Sequence, residues 1–379
     1  MRTALAAAAF WLAVLPGAAA TGAPAEPAQG DCAGENAIRF RGLAARLEND
    51  LIANTDRDYT NGISITAISH DIPRTIDPQC LPAPVRLQAR LIGRFDPGFW
   101  RDGDEATRSQ NVVLRFGQSM YTPGDPTRAD LIAGDRPYAG LLYAGLSWNR
   151  RRLDRATNVE TLDTREVTLG VIGPASLARE AQDLVHGLRG FDRFLGWRHQ
   201  LHNEPALQLS RERKYRQFRG AGAHIPGFSS DAIRSFGLRL GNIETSASYG
   251  IEGRIGWNLP NDFGSYPIRP GAENRAPSAP RPAGGQPPPW RARTGAHLFA
   301  MLEGKAVARD FSLDGNLFRN SHRVHRRPIV GQAAVGLSLH GPVAGLEMKL
   351  DLMRVWRTRE FDEQRTGHAF GSVNLSVEF

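Results

Sequence analysis

After residue 20 the chain has no apolar stretch long enough for a transmembrane helix, which needs about 20 consecutive apolar residues. Any helical anchor in the mature chain is thereby excluded. Cysteine is scarce: Cys32 and Cys80 are the two in the sequence, and an oxidising compartment would let them pair or leave two thiols. Mean hydropathy is only −0.37. Hydropathy alone would place the protein in water, but strands of a membrane barrel turn half their residues to a polar lumen and give weak signals.

What is present points outward from the cell. Residues 1–20 carry Arg2, an apolar stretch from Ala4 to Leu15 and the small-residue tail Ala18-Ala19-Ala20, the layout of a secretory signal peptide. Its apolar core is too short for a comfortable membrane span. Residues 21–37 are read as an N-terminal periplasmic segment, and 38–379 as one β domain. The formal charge of +8 suits anionic partners such as nucleic acid or the phosphates of lipopolysaccharide, and export disfavours nucleic acid.

The C-terminus reads Gly371-Ser372-Val373-Asn374-Leu375-Ser376-Val377-Glu378-Phe379. Strand side chains alternate between faces, so Val373, Leu375, Val377 and Phe379 share one face and the polar residues the other. Such a segment suits the closing strand of an outer-membrane barrel or the edge of a soluble sandwich. The alternation recurs. Tyr249, Ile251, Ile255 and Trp257 oppose Glu252 and Arg254, and Leu346, Met348, Leu350 and Leu352 oppose Glu347, Lys349 and Asp351. Charges opposite apolar stripes, strand after strand, suit a polar lumen rather than a dry core. The expectation is an all-β, antiparallel transmembrane barrel of about twelve strands, an even number as single-chain bacterial barrels have.

With the N-terminus periplasmic, the stretches 52–59, 119–138 and 174–204 become extracellular loops. Residues 268–290, rich in Pro, Gly and Ala, form an insertion on the periplasmic side. Residues 175–189 predict a short helix in an extracellular loop, with Leu177, Ala181, Leu184, Val185 and Leu188 as its apolar stripe, lying over the barrel mouth.

Three polar clusters carry candidate chemistry. Glu48-Asn49-Asp50 precedes Asn54-Thr55-Asp56-Arg57-Asp58-Tyr59-Thr60-Asn61-Gly62. The oxygens suit a hard cation such as Ca²⁺, without EF-hand spacing, or they form an Asx-rich turn. His186 follows Gln182 by four residues and precedes Asp192 by six. It is either a surface His or a general base whose tautomer a folded-back carboxylate holds. The loop Tyr121–Arg128 and the stretch Gly134–Gly140 offer Arg128 or Arg136 to phosphates or an oxyanion, or simply line a charged rim.

Glu48-Asn49-Asp50, Asp58-Tyr59-Thr60-Asn61-Gly62, Gly134-Asp135-Arg136-Pro137-Tyr138-Ala139-Gly140, Val171-Ile172-Gly173-Pro174, Gln182 with His186, His202-Asn203-Glu204-Pro205-Ala206-Leu207 and Asn258-Leu259-Pro260-Asn261-Asp262-Phe263-Gly264 occur in this order. Together they resemble the lipid A 3′-O-deacylase family of Gram-negative outer membranes, from about residue 40 to the C-terminus. The resemblance implies a twelve-stranded barrel and a calcium-dependent ester hydrolase. Asn49, Asp50 and Thr60 would hold Ca²⁺, and His186 would activate water. Asp192 would orient the imidazolium, and Arg128 would join the cation at the oxyanion. Asp192 stands where the best-known member has Glu, and Arg128 where a Lys is found. The implied partner is lipid A within lipopolysaccharide, and the expected form is a monomer. Competing readings are a non-catalytic channel or lipopolysaccharide-binding barrel, and a phospholipase, for which His186 has no convincing Ser partner.

Overall fold

The computed structural model describes residues 38–50, 58–72, 78–101, 108–154, 156–219, 227–265, 267 and 294–379. Among these, twelve strands close into one antiparallel barrel in which each strand pairs with its sequence neighbours and β1 pairs with β12. They are β1 (Phe40–Asn49), β2 (Asp58–Ser69), β3 (Arg108–Thr122), β4 (Ala139–Asp154), β5 (Val159–Ile172), β6 (Glu204–Arg219), β7 (Phe228–Gly241), β8 (Glu244–Trp257), β9 (Gly295–Asp310), β10 (Ile329–Val343), β11 (Leu346–Arg357) and β12 (His368–Glu378). Closure matches Leu47 with Val373 and Asn49 with Gly371, so the C-terminal strand is the closing one, and no sheet edge remains.

The expected alternation holds along the wall. On β8, Ile251, Ile255 and Trp257 are exposed while Glu252 and Arg254 are buried. On β12, Ser372, Asn374 and Ser376 are buried and Leu375 is exposed. The outward face is therefore apolar and the inward face polar, the arrangement that lets a closed barrel cross lipid. No described helix is long and apolar enough to cross a membrane.

Inside, charges meet charges. Arg115 donates to Glu166 at 2.6 Å, and Ser147 donates to the same carboxylate at 2.5 Å. Asp231 receives Arg216 at 2.8 Å and Arg254 at 2.6 Å. Removing one partner from such a buried pair typically costs about 3–5 kcal/mol. Towards the end of the barrel away from the termini, Tyr59 packs against Tyr121 and Phe370, with ring centroids 5.4 and 5.1 Å apart. Phe299, Met301, Met353 and Val355 join Tyr59 and Phe370 in one buried cluster. The lumen is filled by side chains here, not open.

Among the described residues, two α-helices longer than four residues lie outside this pattern of strands. One, α1 (Ala83–Phe95), sits in the connection between β2 and β3 at the terminal end, where the sequence pattern predicts no element. Cys80, in the turn just before it, is disulfide-bonded, while Cys32 lies outside the described residues. So do the signal-peptide region and the insertion 268–290. The expected loop helix is α2 (Ala178–Arg189), in the β5–β6 connection at the opposite end.

Candidate active site

The seat of α2 is made by two glycines. Gly173 has φ +93°, and a Cβ there would stand 2.5 Å from the carbonyl oxygen of His202. Only glycine fits that turn. Gly140, on β4, faces the helix start: a Cβ would stand 2.1 Å from Ser176 Oγ and 2.4 Å from Ala178 Cβ. The chain then makes a short turn at Pro174–Ser176, passes Leu177 in the left-handed region at φ 57°, and enters the helix. Gly190, also left-handed at φ 70°, ends it with its N–H on the carbonyl of His186.

The helix does not lie as the apolar stripe predicted. Its buried residues are Ala178, Gln182 and His186, spaced by four and so on one face. Leu177, Leu184 and Leu188 are exposed. Nor does it cap the mouth. On β3, Leu114 and Phe116 are exposed on the outer wall, and Gln118 and Met120 share their parity. Gln118 donates to the carbonyl of Ser176 at 2.6 Å, and Met120 is buried with Ala178, Phe194, Trp197 and Tyr138. Thus α2 lies against the outside of β3 and β4. The reversal has a simple cause: the solvent around that wall is lipid, so the apolar stripe turns away from the barrel and the polar stripe turns to it.

His186 is buried between two rings, with Phe191 at 5.7 Å and Phe194 at 5.2 Å, both edge-on. Its Nδ1 lies 2.6 Å from the backbone carbonyl oxygen of Asp192. A carbonyl only accepts, so Nδ1 carries the proton and Nε2 presents its lone pair. Asp192 therefore does reach His186, but through its main chain; as a residue it is exposed. Four residues before His186, the Gln182 amide oxygen accepts the Trp197 indole N–H at 2.6 Å, locking the helix to the following turn. Trp197, Phe191 and Phe194 are absent from the residues singled out by sequence. Aromatics spaced irregularly after a helix give no periodic signal.

The other expected residues fall in two places. Asn49 pairs with Asn61, Asn61 with Met120, and Met120 with Gly140. Paired residues share a face, and on β1 Leu43 is exposed while Arg46 and Glu48 are buried. Asn49 and Asn61 therefore continue, on the outer face, the same row that seats α2. Asp50 follows at the end of β1, fully buried. Thr60 lies at the bulge between Tyr59 and Asn61, and its side chain lies outside the described residues, as do residues 51–57.

Arg128 stands apart. It is exposed and pairs with Asp130, whose hydrogen bond raises the guanidinium and holds the Asp130 carboxyl low. Its loop does reach the site: Leu195 N–H donates to the Pro126 carbonyl at 3.0 Å, and Tyr138, pushed up to about 12 by burial, packs its ring 4.9 Å from Trp197. Arg136, the alternative phosphate ligand, is not available to one. It is buried on Glu360 at 2.6 Å. Burial alone would raise Glu360, yet Arg136, Arg357 and His368 hold it well below the usual carboxylate range.

For a cation, Asn49 and Asp50 offer oxygen donors alone, the chemistry a hard divalent ion takes, and the buried Asp50 carboxylate supplies charge. Among the described residues no group of three His, Cys, Asp or Glu is arranged to hold a metal.

The family model described as outer membrane protein LpxR matches residues 5–379. Among solved structures, LpxR from Salmonella typhimurium superposes with a TM-score of 0.62 at 18% identity, covering 89% of this chain and 100% of that one. The beta domain of the Bordetella autotransporter BrkA gives a TM-score of 0.43 at 6% identity, covering 90% of this chain and 99% of that one. Among curated proteins none matches. The chain is an outer-membrane β-barrel and belongs to the outer membrane protein LpxR family.

Proposed function

We propose that this protein is an outer-membrane esterase that removes the 3′-linked acyl chain from lipid A. The observation that carries the reading is the placement of His186. It sits in a buried polar stripe pressed against the outer, lipid-facing wall, and not in the lumen. A substrate lying in the outer leaflet reaches that crevice sideways, with its acyl chains still in lipid beside exposed Leu184 and Leu188.

In this mechanism Nε2 of His186 takes a proton from water. The resulting hydroxide adds to the ester carbonyl carbon, giving a tetrahedral oxyanion. Collapse breaks the bond to the 3′ oxygen, which receives the proton back from Nε2. The products are a carboxylic acid and a free sugar hydroxyl. Throughout, the Asp192 carbonyl holds the Nδ1 proton and so supports the imidazolium. Arg128 would swing from Asp130 to the substrate's phosphate or oxyanion, where a positioned charge is typically worth about 3–4 kcal/mol. Asn49, Asp50 and Thr60 would hold Ca²⁺, which when bound supplies further stabilisation of developing negative charge.

A channel is disfavoured by the side chains packed around Tyr59 and Phe370 inside the barrel. The cavity beside Tyr59, Tyr121, Lys305 and Arg357 holds only about 50 Å³, a space on the scale of a few waters. The reading is tested by mass spectrometry of lipid A from cells with and without the active protein, which should differ by the loss of the 3′ acyl group. An unchanged lipid A would reject it.

A further inference from the structure

The structure assigns α1 a role as an interfacial helix: we propose that it lies in the bilayer leaflet at the terminal end of the barrel, with Leu87, Leu91 and Phe95 among the acyl chains and Arg86, Arg90 and Arg94 on anionic phospholipid headgroups.

The helix is docked on the outside of the barrel. Its Gln88 amide donates to the main-chain carbonyls of Leu146 at 2.8 Å and Arg165 at 3.2 Å. Val85 and Ile92 are buried with Val112 and Trp148, both of outward parity. At its end, Asp96 accepts from Arg165 Nε at 2.7 Å. Phe99 follows, lying beneath the guanidiniums of Arg165 at 4.8 Å and Arg150 at 5.0 Å.

Successive helix residues turn by about 100°, which divides α1 into three faces. Val85, Gln88 and Ile92 face the wall. Leu87, Leu91 and Phe95 form a second face and are 57%, 43% and 80% exposed. Arg86, Arg90 and Arg94 form the third. A helix with only two environments, protein and water, has no use for three faces. A helix on a barrel wall at a membrane surface has three neighbours: wall, acyl chains and headgroups.

Its height on the wall agrees. The row Leu114–Leu146–Val167–Leu209 is paired strand to strand, and Leu114 and Leu209 are exposed members of the lipid-facing belt. Gln88 is bonded to that row. One residue pair further toward the terminal end the outer row is Val112, Trp148, Arg165 and Arg211, with Arg150 one pair beyond, and Arg165 and Arg211 share Asp96. So α1 lies where the apolar belt gives way to charge, its leucine face continuous with the belt. The arginine face has the sign that anionic headgroups attract.

The test uses the whole folded protein in bilayers of phosphatidylethanolamine with phosphatidylglycerol. Nitroxide labels are placed singly on Leu91→Cys, Phe95→Cys and Arg90→Cys, with heat-modifiable migration confirming the barrel. Labels at 91 and 95 should collide several-fold more with oxygen than with a water-soluble nickel chelate, and the label at 90 should show the reverse. Equal nickel exposure at 91 and 90, or protection from both reagents at 91 as a covering protein would give, overturns the proposal. Independently, the combined Arg86→Gln, Arg90→Gln and Arg94→Gln variant should lose the preference for spin-labelled phosphatidylglycerol over phosphatidylcholine. Undiminished preference would contradict the headgroup assignment. Neither outcome depends on which ester the protein cleaves.

Discussion

His186 Nδ1 and the backbone carbonyl oxygen of Asp192 lie 2.6 Å apart, across the end of α2. The contact sets the tautomer without using the Asp192 carboxylate, and the two roles separate by mutation. A positioned general base typically contributes about 10²–10⁴ in rate. His186→Asn should lose at least the lower bound while the barrel still folds. Asp192→Ala keeps the carbonyl and should lose less than about tenfold. His202 is the control, since its main chain bonds to Asn316 while its side chain is exposed. His202→Ala should keep wild-type rates in the same mass-spectrometric assay.

Gln182 and Trp197 hold the helix to the turn that follows it. Trp197→Phe leaves the buried amide short of its donor, a loss of about 1–3 kcal/mol. The expected result is a lower midpoint of heat-modifiable migration and a lower kcat, with KM little changed. A raised KM at unchanged kcat would instead make Trp197 part of substrate binding.

The exposed face of α2 is read as the acyl-chain side of the crevice. Leu184→Ser with Leu188→Ser should weaken turnover of membrane-embedded lipid A by about 10²- to 10⁴-fold, in line with about 1.5–3 kcal/mol for each of the two leucines. Hydrolysis of a short-chain soluble ester should be spared. Equal loss on both substrates would point to damage of the helix itself.

If Asn49 and Asp50 hold a cation, excess chelator should abolish deacylation and Ca²⁺ should restore it. Asp50→Ala should stay inactive at Ca²⁺ levels that saturate the wild type. Full activity in chelator would give these oxygens a purely structural role.

Glu360 and Arg136 form a buried pair next to Arg357. Because the Glu360 carboxyl is held low in the folded protein, its stabilisation is fully present above the unfolded carboxylate pKa of about 4.3. It is lost only as pH falls through the lower folded value. Glu360→Gln should cost about 3–5 kcal/mol at neutral pH, a gap that closes on strong acidification. Unfolding midpoints across pH check this. A gap that instead widened toward acid would refute the sign.

The barrel was legible because lipid outside and charge inside write opposite polarities on alternate residues, as Glu252 and Arg254 against Ile255 and Trp257 show. Twelve strands followed from that pattern, the loop helix from the spacing of Leu177, Ala181, Leu184, Val185 and Leu188, and the motif residues led to His186. The orientation of α2 was not legible. A stripe of Leu177, Leu184 and Leu188 reads the same whether it faces a core or a membrane, and only the wall contacts of Ala178 and Met120 decide. The helix α1 was missed for a related reason: it divides its residues among three surroundings, so no single stripe emerges. Arg136 looked like a candidate ligand because nothing local announces that Glu360, 224 residues away, will bury it.

On the proposed reading His186, against the outer wall, drives hydrolysis of the 3′ ester. The most direct measurement is mass spectrometry of lipid A from cells producing wild-type protein or His186→Asn, both shown to be folded in the outer membrane. The wild type should remove the 3′ acyl group, and the variant should leave lipid A intact. Deacylation by His186→Asn at near wild-type rate, or intact lipid A in both, would contradict it.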